Sequence, residues 1–280
     1  MKEAEYKFLR MGLSILNKMA LKELYHPESG RMRVASLMSG NGSNLRKIIE
    51  HGRAIESREG RAPYQVVVIS SDNPTSNAEK IGNEYGIPIV VRDLGAFYKE
   101  RGKPRKDLIL RAEFDEGTVE ALKPFNVDVA AYAGYMSIAT PVLINSFLGV
   151  NVHPADLSVM NGDKRKYTGN HAVRDAIVAG EKQLKATTHI IEQQVDYGRI
   201  LMVSSPLDVN LPVGFDLGNR DQVNSVSDAH QNRLKERGDW VIFPRTLEYL
   251  ADGKYSQDEQ GNLYFDNKPI PQGLILETAD

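Results

Sequence analysis

Asn151 and His153 stand two residues apart in the run Gly149-Val150-Asn151-Val152-His153-Pro154, and Asp196 follows in Val195-Asp196-Tyr197-Gly198. Alternation along a strand puts Asn151 and His153 on one face. Pro154 cannot continue a central strand, so His153 belongs at its carboxyl end, where open α/β sheets bind ligands. A second histidine, His189, lies in Thr188-His189-Ile190, a strand-like stretch shortly before Asp196. An Asn, a His and an Asp brought together suit acyl transfer to an amine. The attack creates an oxyanion that needs donors, the leaving nitrogen needs a proton, and the amine must lose one. Singly none is diagnostic: a strand-end histidine is more often a hydrogen-bonded structural residue, and Asp196 could simply begin a turn.

A second candidate is Ser39-Gly40-Asn41-Gly42-Ser43-Asn44, between a strand-like run and a helical pattern. Two glycines allow a tight turn, and free N–H groups at a helix start favour an anion, so Gly40, Asn41, Gly42, Ser43 and Asn44 form a candidate phosphate cradle. The loop fails as a dinucleotide fingerprint, because Leu45 occupies the place of the third glycine, and it lacks the Lys-Ser/Thr of a nucleoside-triphosphate loop. Glycine loops alone are weak evidence, and taken alone this one reads rather as a plain strand-to-helix turn capped by Ser43.

The elements that must carry these residues follow from periodicity. Short β-rich runs at 34–38, 65–70, 88–91, 128–132 and 150–153 alternate with helical patterns at 44–51, 76–85 and 107–122. Near-continuous apolar strands such as Val66-Val67-Val68-Ile69 argue for a parallel sheet covered on both faces. Further on, 186–191 and 200–204 read as strands, 240–250 as a helix, and 255–265 as a hairpin. The turn-former-rich stretch 206–228 reads as a loop. Phe8, Leu9, Ile15, Leu16, Met19, Leu21 and Leu24 recur at helical spacing, predicting an amphipathic helix that ends before Pro27 and packs on the domain or on a second subunit. The organisation expected is an N-terminal helical extension over 1–32 and one domain over 33–280.

Composition narrows the chemistry. The 280 residues carry 41% hydrophobic and 26% charged residues, enough for a substantial core, and a net charge of −2. That charge disfavours a nucleic-acid or membrane partner, so anions must be bound by a local site. The lack of cysteine removes disulfides, thiolate nucleophiles and cysteine-bound metals. The amino terminus lacks the apolar core of a secretory signal, which leaves the cytoplasm as the expected compartment.

Several motifs in order carry a resemblance. Ser39-Gly40-Asn41-Gly42-Ser43-Asn44-Leu45, Ala133-Gly134-Tyr135-Met136, Asn151-Val152-His153-Pro154, Tyr167-Thr168-Gly169-Asn170-His171 and Val195-Asp196-Tyr197-Gly198 make the chain similar to the glycinamide ribonucleotide transformylase family of folate-dependent formyltransferases. The resemblance implies an α/β, Rossmann-like formyltransferase fold, a mostly parallel twisted sheet flanked by helices, with a C-terminal hairpin. It implies transfer of formyl from 10-formyltetrahydrofolate to the amine of phosphoribosylglycinamide in purine biosynthesis, with no metal. Asn151 and His153 would polarise the formyl oxygen, and Asp196 would tune His153 and relay the amine proton. Gly40 to Asn44 would hold the phosphate, and Asp239 matches an acidic position that binds the ribose. The folate pocket maps onto Met136, Ser137, Ile138, Ala139, Ile191 and Glu192, with His171 and His189 in support. A homodimer is left open.

The departures from the family are specific. Ser137 and Ala139 replace a basic residue and a leucine, Asp239 replaces a glutamate, and 155–166 is longer than the usual link. That insertion leaves the strand directly after His153, so it is expected to act as a lid or specificity loop. Its Lys164, Arg165 and Lys166 could reach a phosphate or the folate tail, or be simply solvated. Competing readings are a formyltransferase for another amine, such as an amino sugar or a tRNA-bound one, a hydrolase of the formyl folate, and a non-catalytic folate or nucleotide binder.

Overall fold

A computed structural model describes residues 21–276. The chain enters through β1 (Lys22–Glu23) and crosses β2 (Met32–Met38), α1 (Ser43–Glu59), β3 (Tyr64–Ser71), α2 (Ala78–Tyr85) and β4 (Ile89–Val91). Helices α3 (Leu94–Glu100) and α4 (Leu108–Leu122) lead to β5 (Val129–Tyr132), α5 (Pro141–Ser146) and β6 (Leu148–His153). A small hairpin, β7 (Met160–Asn161) and β8 (Lys164–Arg165), precedes α6 (Ala172–Val178) and the strands β9 (Gln183–Leu184), β10 (Thr187–Ile190), β11 (Ile200–Val203) and β12 (Leu207–Asp208). Helix α7 (Arg220–Leu234) runs through a π-helical turn, Lys235–Asp239, into α8 (Trp240–Ala251). The chain closes with β13 (Tyr255–Gln257), β14 (Leu263–Phe265), β15 (Lys268–Pro269) and β16 (Leu274–Ile275).

Eight strands form the main sheet in the order β16-β11-β10-β6-β5-β2-β3-β4. The pairs from β6 to β4 are parallel, as is β11 with β16, whereas β10 is antiparallel to both β6 and β11. Strand alternation sorts the apolar side chains between the faces. On β2, Met32, Val34 and Met38 join one core with Ile48 of α1 and Phe243 and Leu247 of α8. Ala35 and Leu37 join the other, with Leu122 of α4 and Leu143 of α5. Burial of both faces is why these strands read as unbroken apolar runs rather than alternating ones.

Three expectations change. The predicted N-terminal helix lies largely outside the described residues. Its last members, Leu21 and Leu24, flank β1, which pairs antiparallel with β13 in a four-stranded sheet with β14 and β15. The stretch 206–228 is not all loop, because α7 begins at Arg220, where the Asn219 side chain accepts from the N–H groups of Asp221 and Gln222. Helix α1 is not capped by Ser43: its cap is Gly42, in the left-handed region at φ 70°, with no side-chain hydrogen bond.

Candidate active site

Strand β6 ends where the sheet turns from parallel to antiparallel pairing, and this junction assembles the polar cluster. Register sets His189 of β10 opposite Asn151 and Thr187 opposite His153. The His189 Nδ1–H donates to the Ile190 carbonyl at 2.9 Å, which leaves Nε2 as an acceptor for Asn151 Nδ2 at 3.2 Å. Burial holds the His189 pKa down to about 4, so this neutral form is the working one. Asn151 therefore gives one amide hydrogen to His189 and keeps the other free.

Asp196 arrives from the turn after β10. That turn closes tightly at Gly198, where a Cβ would lie 1.7 Å from the Ile190 carbonyl oxygen. Asp196 itself takes the left-handed conformation at φ 59°. One carboxylate oxygen accepts from Gly169 N–H at 2.7 Å. The other stands 3.5 Å from His153 Nδ1 and 3.7 Å from His189 Nε2. His153 Nε2 lies 3.0 Å from the Tyr167 carbonyl. Two acceptors thus face the two nitrogens of His153, an arrangement that favours the imidazolium. Burial opposes this and prevails, holding the His153 pKa below its ordinary value against the pull of Asp196. With an acceptor facing each ring nitrogen, a proton that His153 takes up finds its hydrogen-bond partner already in place.

These residues line a cleft of ≈ 590 Å³ at the carboxyl ends of the parallel strands. At one end stands the start of α1, with Gly40, Asn41, Gly42, Ser43 and Asn44; its first N–H groups have no intrahelical partner and face the cleft with the positive end of the helix. Asp239 lies beside it, buried, with one carboxylate oxygen unpartnered among the described residues. Burial pushes its pKa up to about 7, against Lys235 and Asn44.

At the other end are Met136, Ser137, Ile138, Ala139, Ile191 and Glu192. This wall is pinned from outside the cleft. Ser39 Oγ accepts from Met136 N–H, Ser137 donates to Asp72, and Asp115 accepts from both Thr140 N–H and its hydroxyl. Met136 and Ile138 remain exposed, giving that end an apolar mouth.

The cleft gathers every residue expected in it from the sequence except His171, which is exposed at the start of α6. Sequence reading missed Gln231 and Lys235, on α7 and the π-helical turn; Lys235 is the only cation lining the cleft among the described residues. The usable signal was the apolar spacing Val223, Val226, Leu234 after the cap Asn219. The inserted hairpin also differs from expectation. Lys166 pairs with Glu181 and Arg165 reaches Asp196, so neither is a free hook for an anion. A second groove, of ≈ 450 Å³, lies at the opposite ends of the strands. Its Arg31 and Arg33 are held by Glu56, Ala62 and Phe125, and it has no comparable set of acid–base groups.

Comparison with known proteins agrees with this architecture. A family model described as formyl transferase matches residues 32–209. Phosphoribosylglycinamide formyltransferase of Haemophilus influenzae is 27% identical over 243 residues, covering 86% of this chain and 96% of that protein. The trifunctional purine biosynthetic protein adenosine-3 of Drosophila melanogaster is 30% identical over 225 residues, 80% of this chain, which spans only 14% of that larger protein. Among solved structures, phosphoribosylglycinamide formyltransferase of Coxiella burnetii superposes with a TM-score of 0.64 at 19% identity, covering 89% of this chain and all of that one, which shows a common fold. With the model spanning the glycine loop, β6 and the Asp196 turn, the chain belongs to the formyl transferase family.

Proposed function

We propose that this chain transfers the formyl group of 10-formyltetrahydrofolate to the primary amine of phosphoribosylglycinamide, a cytoplasmic step of purine biosynthesis. The observation that carries this reading is the Asn151, His153 and Asp196 cluster standing between an anion-ready helix start and an apolar-mouthed wall in one cleft. The acceptor phosphate would sit on the N–H groups at the start of α1, with Lys235 as counter-charge, and the ribose hydroxyls would donate to Asp239. The formyl folate would lie against Met136 to Ala139 and the Ile191-Glu192 turn.

The amine nitrogen then attacks the formyl carbon, forming a C–N bond and moving the carbonyl electron pair onto oxygen. The free Asn151 amide hydrogen and a His153 N–H are the donors for that oxyanion. The amine proton leaves toward Asp196, directly or through water, and passes on to the neutral His153, which becomes the imidazolium. Collapse of the intermediate breaks the bond to the folate nitrogen, which takes a proton from His153, and the products are the formylamide and tetrahydrofolate. The hydrogen bonds that fix Asn151 and Asp196 before substrate arrives are the preorganisation such a step requires.

The test is an assay of the purified chain with formyl folate and a panel of amines. Formylated glycinamide ribonucleotide and tetrahydrofolate should appear in equal amounts, and the dephosphorylated amine should be used far less well. Equal catalytic efficiency with the two amines would remove the phosphorylated-acceptor assignment. Formate release that ignores the amine would replace transfer by hydrolysis.

A further inference from the structure

The hairpin β7–β8 leaves the sheet immediately after His153, and its one half-buried cation does not point into the cleft. Arg165 Nη1 donates to the Asp196 carbonyl at 2.6 Å. The Arg165 backbone N–H donates to the Tyr197 hydroxyl at 3.1 Å, and its guanidinium lies 5.6 Å from the centre of the Tyr197 ring. Three contacts therefore join one residue of the hairpin to two consecutive residues of the turn that carries the carboxylate. This turn has a structural need for such a brace, because Asp196 is a non-glycine residue at φ 59°. That conformation costs on the order of 1 kcal/mol and persists only where surrounding contacts enforce it. Gly169 N–H fixes the Asp196 side chain from one side, and among the described residues Arg165 alone donates to its carbonyl.

We propose that Arg165 is a positioning residue: carried on the inserted hairpin, it clamps the Asp196–Tyr197 backbone so that the carboxylate is held against His153. The inference rests on the reading of His153 and Asp196 as the acid–base pair. It turns the insertion from a lid into a strut. A second consequence is electrostatic. The charged or titratable groups about His153 are Asp196, His189 and Arg165; Asp196 favours the imidazolium, whereas Arg165 disfavours it. Arg165 in turn faces Asp196, Glu192 and Tyr197.

The experiment compares Arg165→Gln, Arg165→Met and Arg165→Lys with the unsubstituted chain, following melting, kcat, both KM values and the His153 imidazole titration by NMR. In the two uncharged variants kcat should fall about tenfold with little change in either KM, the pattern of a misplaced catalytic group. The His153 midpoint should move downward in both, because loosening of Asp196, the larger influence favouring the imidazolium, outweighs removal of the Arg165 charge that disfavours it. Arg165→Lys should keep that midpoint near its original value and recover part of kcat. An uncharged variant that folds and retains both kcat and the His153 midpoint overturns the proposal, as does a loss of activity fully accounted for by loss of folded protein. The titration needs no turnover, so it reads the Arg165 contact even if the chain transfers no formyl group; that latter result would count against the functional reading alone.

Discussion

At the scale of single residues, burial dominates the protonation states of the titratable groups in the cleft. His153 and Asp196 are each less than a tenth exposed, so their contact is little screened, and on the proposed mechanism His153→Ala removes both a donor and an acid. Turnover should fall about 10²- to 10⁴-fold with modest change in KM, measured under saturating substrates. Near-normal turnover would assign His153 to structure. Asp239 and His189 make opposite contributions to stability. Between the ordinary carboxyl pKa and about 7, native Asp239 holds a proton that the unfolded chain has lost, so its contribution falls as pH rises through that window. Between about 4 and the ordinary imidazole value, native His189 stays neutral while the unfolded chain is protonated, so its contribution is lost as pH falls. Asp239→Asn should therefore melt higher than the unsubstituted chain above pH 7, by up to about 4 kcal/mol in stability, and alike near pH 3. On the proposed function the same variant should raise the acceptor KM, since Asp239 Oδ1, buried and unpartnered among the described residues, would be the oxygen offered to the ribose. A variant that melts lower at pH 8 would contradict the raised pKa.

At the scale of elements, the glycine loop separates packing from binding. A Cβ on Gly42 would lie 2.5 Å from Ile81 Cδ1 and 3.0 Å from Met38 Cε, at a φ that disfavours side chains, so Gly42→Val should destabilise the fold itself. A Cβ on Gly40 meets nothing within 4 Å, and Gly40 lines the cleft. Gly40→Val is the cleaner probe: melting near the original value, a raised KM for the phosphorylated acceptor and an unchanged KM for the folate. An altered folate KM alone would place the phosphate elsewhere. Elements with a strong local pattern were legible in sequence. Val66 to Ile69 could hardly be anything but a buried strand, and Pro154 marked the end of β6. Helix α7 was not legible, because only Val223, Val226 and Leu234 form its apolar stripe and turn formers crowd its approach up to Asn219. Lys235 and Gln231 were lost with it. The contact of Arg165 with Asp196 was equally hidden: it joins residues 31 positions apart through a backbone carbonyl, which no residue type advertises.

At the scale of the whole molecule, the two ends of the parallel strands do different work. The carboxyl ends carry the cleft with its acid–base groups, while the described segments at the amino ends flank the second groove and pack on the core. Residues 22–30 show this best. Beta-strand β1 pairs with β13, Leu24 N–H donates to the Tyr255 carbonyl at 2.9 Å, and the Tyr25 hydroxyl donates to the Gly30 carbonyl at 3.1 Å. The Tyr25 ring is 8% exposed and belongs to the core shared by α1 and α8. A segment of so few residues has no periodicity of its own, so its strand form comes from the partner β13 rather than from local sequence. Gly30 precedes β2, whose far end delivers Gly40 some 20 Å away at the usual rise per residue. Tyr25→Ala should therefore cost about 3 kcal/mol as a buried aromatic is replaced by a cavity. For a chain of this size that corresponds to a melting temperature lower by roughly 5–10 °C. Turnover per folded molecule at 25 °C should be unchanged, as should both KM values. A tenfold loss of kcat with little change in melting would show that the amino-terminal end of the sheet shapes the cleft directly, and that packing and catalysis are not divided between the two ends of the strands.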